Sequence, residues 1–264
     1  MRADELAPLT VDMPKLPILN REQSRRLDQR AQDEFGISGL VLMENAGRSV
    51  VDSLVRLGAR SPVVICCGKG NNAGDGFVIA RHLDLRKIEA RILLFASPAE
   101  LQGDALANYQ IAERAGLNIE VFAPDDSSES ADSIEKRLPT HLDEASWIVD
   151  ALLGTGVRGA ARPPFDQVIN LLNACAVPIL AVDLPSGLDC DRGPENPPLS
   201  EPDSVEQGRT VPSIIRATHT CTFVAHKPGF LVAGADRFTG KVEVLDIGAP
   251  RRLIEEMLAE ARSS

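Results

Sequence analysis

Short apolar runs alternate with amphipathic stretches along most of this chain. The clearest run, Val63-Val64-Ile65-Cys66-Cys67, has no polar position, as befits a parallel strand covered by helices on both faces. Comparable runs at residues 90–96, 118–122, 147–150, 178–183, 219–224 and 241–245 predict six further strands. Between them the apolar spacing turns helical. From Arg21 onward Leu27, Ala31 and Phe35 fall on one face, and a second helix over 40–57 follows the punctuation at Gly36 and Gly39. Helices are also expected after Gly76, over 102–115, from Pro163-Pro164 through 172, and from near Pro250.

Strands that alternate with helices predict an α/β fold of three layers, with a mostly parallel central sheet and helices on both faces. Residues 1–18 read as a flexible tail and 19–264 as a single domain. Residues 124–146 are acidic and serine-rich, which predicts a solvated connection with one short helix. The stretch 190–213, rich in Pro, Glu and Asp, predicts a long surface loop.

Composition narrows the function classes. A net charge of −10 argues against a nucleic-acid partner, which needs a basic surface. No apolar run approaches membrane-spanning length, and the N-terminal segment lacks the apolar core of a signal peptide. Five cysteines, an odd count placed largely in strand candidates, read as buried thiols of a reducing compartment, so the cytoplasm is expected. His82, His141, His219 and His226 show no metal-binding or triad spacing and are expected to be packing or surface residues.

The candidate chemistry begins where the first strand ends. Gly68-Lys69-Gly70-Asn71-Asn72-Ala73-Gly74-Asp75-Gly76 places four glycines ahead of an apolar-periodic helix, a layout that aims free N–H groups and a helix N-terminus at an anion. Gly68-x-Gly70-x-x-Ala73 also fits the looser dinucleotide fingerprint, which alone is weak. A carboxylate would repel phosphates, so Asp75 serves sugar hydroxyls, a cation, or the helix cap. Two more predicted strands end in Asp150 and Asp183, each followed by a glycine-containing turn. Three such carboxylates at one sheet edge point to a shared site, and their mutual repulsion requires a cation or a bound proton. Glu44 and Asn45, polar residues in the apolar turn Leu42–Gly47, are open to a buried or an exposed reading.

Residues 67–76, Asp150-Ala151-Leu152-Leu153-Gly154-Thr155-Gly156 and Asp183-Leu184-Pro185-Ser186-Gly187-Leu188-Asp189 resemble, in order and spacing, the YjeF N-terminal domain family of NAD(P)H-hydrate epimerases. Leu42-Met43-Glu44-Asn45-Ala46-Gly47 and Lys227-x-Gly229 extend the resemblance over most of residues 20–250. It implies a Rossmann-like fold and an isomerase that interconverts the R and S epimers of NADH or NADPH hydrated at ring carbon C6. It further implies that Asn71, Asn72, Ala73, Gly74, Asp75, Gly154, Thr155, Gly156, Val157, Arg158, Gly159, Ala160 and Asp183 hold the substrate. Asn72, Asp150 and Ser186 would coordinate a potassium ion, and Asp183 would be the acid–base group. Ala73 departs from the family's usual glycine, and residues 194–212 are longer than the family leads one to expect. A homodimer and a separate NAD(P)H-hydrate dehydratase as functional partner are expected on the same ground. Two rivals remain: a non-catalytic scaffold of the same fold, and an NAD-dependent dehydrogenase, for which Glu89 is misplaced as the ribose acid because it precedes the second strand.

Overall fold

The computed structural model describes residues 17–122, 130–156, 159–194 and 213–263. The expected tail, apart from its last two residues, and most of the Pro-rich loop therefore lie outside the described residues.

Seven strands form one sheet: β1 (Val63–Cys67), β2 (Ala90–Leu94), β3 (Asn118–Val121), β4 (Trp147–Ala151), β5 (Ile179–Val182), β6 (His219–Phe223) and β7 (Lys241–Leu245). Their order is β3-β2-β1-β4-β5-β6-β7, and every pairing is parallel. The helices are α1 (Arg21–Phe35), α2 (Gly39–Arg56), α3 (Asn71–Leu85), α4 (Gly103–Arg114), α5 (Ser130–Leu142), α6 (Phe165–Ala174), the short α7 (Asp236–Thr239) and α8 (Arg251–Ser263).

The period-two alternation of the strands divides the core. Val63, Ile65 and Cys67 pack with Val50 and Leu54 of α2, Phe77 and Leu83 of α3 and Tyr109 of α4. Val64 and Cys66 point the other way, towards Leu138 of α5 and Val168 and Leu172 of α6. Full burial of a side chain such as Phe77 or Leu83 stabilises the fold by about 1.5–3 kcal/mol. A third cluster joins α1, α2 and α8 through Leu27, Ala31, Leu42, Leu253 and Met257, and it sets α1 beside the site described below.

Two local expectations change. Phe35 is exposed rather than on the buried face of α1. Each four-residue step overshoots a turn by about 40°, so eight residues beyond Leu27 the side chain has drifted to the rim of the apolar stripe. The glycine segment is also shorter as a turn than its composition implies. α3 already begins at Asn71, so Gly74 and Gly76 lie inside the helix. They are there for close packing: a Cβ on Gly76 would sit 2.6 Å from Cys67 Sγ and 3.1 Å from Ala151 Cβ.

Candidate active site

β1 is flanked by β2 on one side and β4 on the other, so the chain's winding reverses between β1 and β4 and a crevice opens past their carboxyl ends. Into that crevice α3 delivers its first turn. Its cap, Gly70, is extended and makes no side-chain cap, which leaves the first N–H groups and the positive end of the helix dipole open to a ligand. Asp75 is the fifth residue of α3, which removes the capping reading.

A cavity of about 160 Å³ lies beside this turn, and its lining includes Asp28, Asn71, Asp75, Thr155, Asp183 and Lys227. Drug-sized pockets run to about 300–1,000 Å³, so this one is small, with room for a group no larger than about one ring. Asp183 follows the end of β5 with a φ of 66°, a left-handed conformation that costs a non-glycine residue about 1–3 kcal/mol. Thr222 Oγ1 donates to its carboxylate at 3.3 Å, and Lys227 Nζ stands 3.4 Å away. Lys227 is only 2% exposed. Its remaining hydrogen bonds go to the carbonyls of Phe223 (3.3 Å) and Ala225 (3.5 Å), so this cation is fixed rather than solvated.

The electrostatics separate the acids. Burial pushes the Asp75 carboxyl well above the usual carboxylate range, and the negative charges of Asp183 and Asp28 push it further. No hydrogen bond or ion pair to the Asp75 side chain occurs among the described residues. Asp28 rises to about 6, first through burial, then through Asp183, with Lys227 opposing. It is exposed by surface area yet ringed by the cavity wall, and the water that reaches it tempers that elevation. Asp28 has no signal in the sequence. It adjoins Leu27 on α1, and only the packing of α1 against α2 and α8 brings it to the site.

Asp150 does not join the cavity. It pairs in register with Cys66, so its side chain belongs to the sheet face opposite α3, and it is completely buried. Burial raises it to about 6, while hydrogen bonds from Ser186 and Leu152 pull the other way. Ser186 Oγ donates to Oδ1 at 2.6 Å and the Ser186 N–H donates to Oδ2 at 2.8 Å. The expected meeting of three carboxylates thus resolves into two at the cavity and one beneath the neighbouring turn. Asn72 links the two regions. Its Nδ2 donates to the Leu153 carbonyl at 2.9 Å, while its Oδ1 is buried with no hydrogen-bond partner among the described residues.

The other expected site residues divide. Asn71 and Thr155 reach the cavity. Ala73 packs into the core, Gly74 lies against Met43 Sδ (2.5 Å from a Cβ placed on it), and Gly154 lies against Asn72. Gly156, Gly159 and Ala160 are exposed, and Val157 and Arg158 lie outside the described residues. Lys69 pairs with Glu100 at 2.7 Å, both exposed, a surface contact of small worth.

Outside the cavity, half-buried Glu44 pairs with Arg81 and, at 2.7 Å, with His82, while Asn45 Nδ2 donates to the Ile247 carbonyl at 3.0 Å. His219, Cys221 and Glu243 place one ligand-type atom each within 4.8 Å of one another, a grouping the spacing of histidines alone did not indicate. Arg56 (2.6 Å) and Ser53 (3.2 Å) already occupy Glu243, and burial pushes the Cys221 thiol up to about 12. These side chains therefore form a satisfied polar network under α2. Glu89 lies at the amino end of β2, the rim opposite the crevice, held by Arg91 at 3.0 Å.

A parallel sheet whose winding reverses beside an uncapped helix start, with carboxyls lining a cavity there, defines a doubly wound α/β protein with a candidate site at the switch point. The chain belongs to the family described as YjeF-related protein N-terminus, which it matches over residues 39–229. It is 43% identical over 243 residues to the NAD(P)H-hydrate epimerase of Pirellula staleyi, a match that covers 91% of this chain and 96% of that one. It is 38% identical over 233 residues to the bifunctional NAD(P)H-hydrate repair enzyme Nnr of Moorella thermoacetica, covering 87% of this chain and 40% of that one. The crystal structure of yeast ynu0 superposes with a TM-score of 0.68 at 21% identity, over 92% of this chain and 93% of the yeast protein, and shares the fold. No helix among the described residues is long and apolar enough to cross a membrane.

Proposed function

We propose that this protein is an NAD(P)H-hydrate epimerase, an isomerase of nicotinamide-cofactor repair. The observation that carries the reading is the pairing of Asp183 and Lys227 at a ring-sized cavity beside the open first turn of α3. Phosphates of the hydrated cofactor lie against the N–H groups from Asn71 onward, and the damaged ring enters the cavity. The chemistry there is inversion at C6, which carries both a hydroxyl and the ring nitrogen. When an acid protonates the hydroxyl and it leaves as water, the nitrogen lone pair forms a planar iminium, and water returns to either face. Asp183 is the catalytic group at this step: its negative charge stabilises the cation, and it accepts the proton of the incoming water.

Potassium fits the region beneath the crevice. The unpartnered Asn72 Oδ1, the Leu153 carbonyl, Ser186 Oγ and the Asp150 carboxylate offer only hard oxygen atoms, the donor set of a hard cation. Asn72, Asp150 and Ser186 would hold the ion, which would supply positive charge that steadies the β4 and β5 turns. A homodimer in the cytoplasm and coupling to an NAD(P)H-hydrate dehydratase complete the proposal. A bifunctional relative named as a repair enzyme supports the coupling, since the match to it spans only part of that longer protein.

The test is to incubate the protein with R-enriched hydrated NADH or NADPH and follow the R/S ratio by chromatography. Equilibration faster than the uncatalysed rate is expected. An unchanged rate points to a scaffold, and hydride transfer to a dehydrogenase.

A further inference from the structure

The cavity holds a half-buried carboxyl, Asp183, and a buried one, Asp75, in contrasting surroundings. Asp183 has a lysine at 3.4 Å and a hydroxyl donor at 3.3 Å. Asp75 is buried without any such partner among the described residues, although it lines the same space. The groups around it come from every neighbouring element: Asp28 and Arg25 from α1, Asp104 from α4, the Cys67 thiol from β1, and Asp183 with Lys227 across the cavity. Lys227 is already committed to Asp183.

We propose, resting on the epimerase reading, that Asp75 is a second catalytic residue: it donates the proton with which the hydroxyl leaves C6, while Asp183 takes up the proton of the water that returns. Two carboxyls in surroundings this different, one beside a lysine and a hydroxyl and the other with neither, divide the roles of acid and base between them. The upward push of burial on the Asp75 carboxyl agrees with that division, because it favours the proton-bearing form. The step balances. The Asp75 O–H proton passes to the C6 hydroxyl, the C–O bond breaks with its electrons leaving in water, and the nitrogen lone pair closes the C=N bond. Water then attacks C6, the C=N electrons return to nitrogen, and the surplus proton goes to the Asp183 carboxylate. One water leaves and one enters, with no oxidation or reduction. Reaction of the opposite epimer, or proton exchange with solvent, returns Asp75 to its acid form. Asn71, at the start of the same turn, lines the cavity but has no acidic proton to give.

The experiment compares wild type with Asp75→Asn, using R-enriched hydrated NADPH and measuring kcat, KM, the pH profile of kcat and the melting temperature. The expected result is a kcat lower by about 100-fold or more, the usual worth of a positioned general acid. KM should stay within a few-fold, and the fold should be intact. The wild-type kcat should fall with a single-proton limb as pH rises, and that limb should be missing from the variant. A variant with near-normal kcat, or one in which only KM changes, overturns the assignment. So does a wild-type profile without an alkaline limb, a result that needs no variant to fold. A wild type that leaves the R/S ratio at its uncatalysed rate overturns the epimerase reading itself.

Discussion

Gly76→Ala tests whether the seating of α3 on the sheet sets the geometry of the site. The added methyl would lie 2.6 Å from Cys67 Sγ, 3.1 Å from Ala151 Cβ and 3.3 Å from Ile65 Cγ2, all buried atoms on the two central strands. Ordinary contact begins near 3.4 Å, so the closest approach falls short by about 0.8 Å. None of these neighbours is the tip of a long side chain, and β1 and β4 are pinned by parallel partners on both sides. The helix must lift instead. Overpacking of this kind costs about 1–3 kcal/mol, while exchanging glycine for alanine within a helix returns about 0.5–1 kcal/mol. The difference runs from about 0 to 2.5 kcal/mol, and its midpoint of about 1 kcal/mol is equivalent to a loss of about 2–4 °C in melting temperature for a chain of this size. Asp75 and Asn72 ride on the same helix, and misplacement by about 1 Å can cost about 100-fold in rate. Thermal denaturation and the R/S equilibration assay read the two effects together. Cys67→Ala in the same chain removes the nearest atom and should recover part of both losses. Wild-type melting and turnover in Gly76→Ala would refute the idea that this contact positions the catalytic turn.

Three further outcomes follow from the electrostatics. Lys227→Met leaves the Asp183 carboxylate without its cation, and breaking a buried pair from one side costs about 3–5 kcal/mol; urea titration should show the loss, and an unshifted midpoint contradicts the pairing. If Asn72, Asp150 and Ser186 hold potassium, KCl should raise the melting temperature above that in tetramethylammonium chloride of equal ionic strength. Tenfold saturation would give about 1.4 kcal/mol, and Asn72→Ala should abolish the increment. Burial raises the folded-state value of Asp75, so the stability it contributes is complete below the unfolded carboxylate range near pH 4 and is lost as pH rises. Asp75→Asn lacks this loss. Its melting temperature relative to wild type should therefore climb from pH 4 to pH 9, and a constant difference argues against the buried acid.

What this sequence determined by itself was everything carried by local pattern. Each unbroken apolar run became a strand, because a segment such as Val63–Cys67 can bury both faces only inside a parallel sheet. The motifs at 67–76, 150–156 and 183–189 marked one edge of the sheet, and they carry the resemblance to the family to which the chain belongs. Tertiary structure alone decided which atoms face each other. Asp150 and Asp183 look equivalent as strand-end acids, yet the period of two turns Asp150 to the far face, while a left-handed backbone leaves Asp183 at the cavity. Asp28 and Lys227 reach that cavity from remote parts of the chain. The proton balance of the site depends on them, because charge interactions act across a few ångströms of space whatever the separation in sequence.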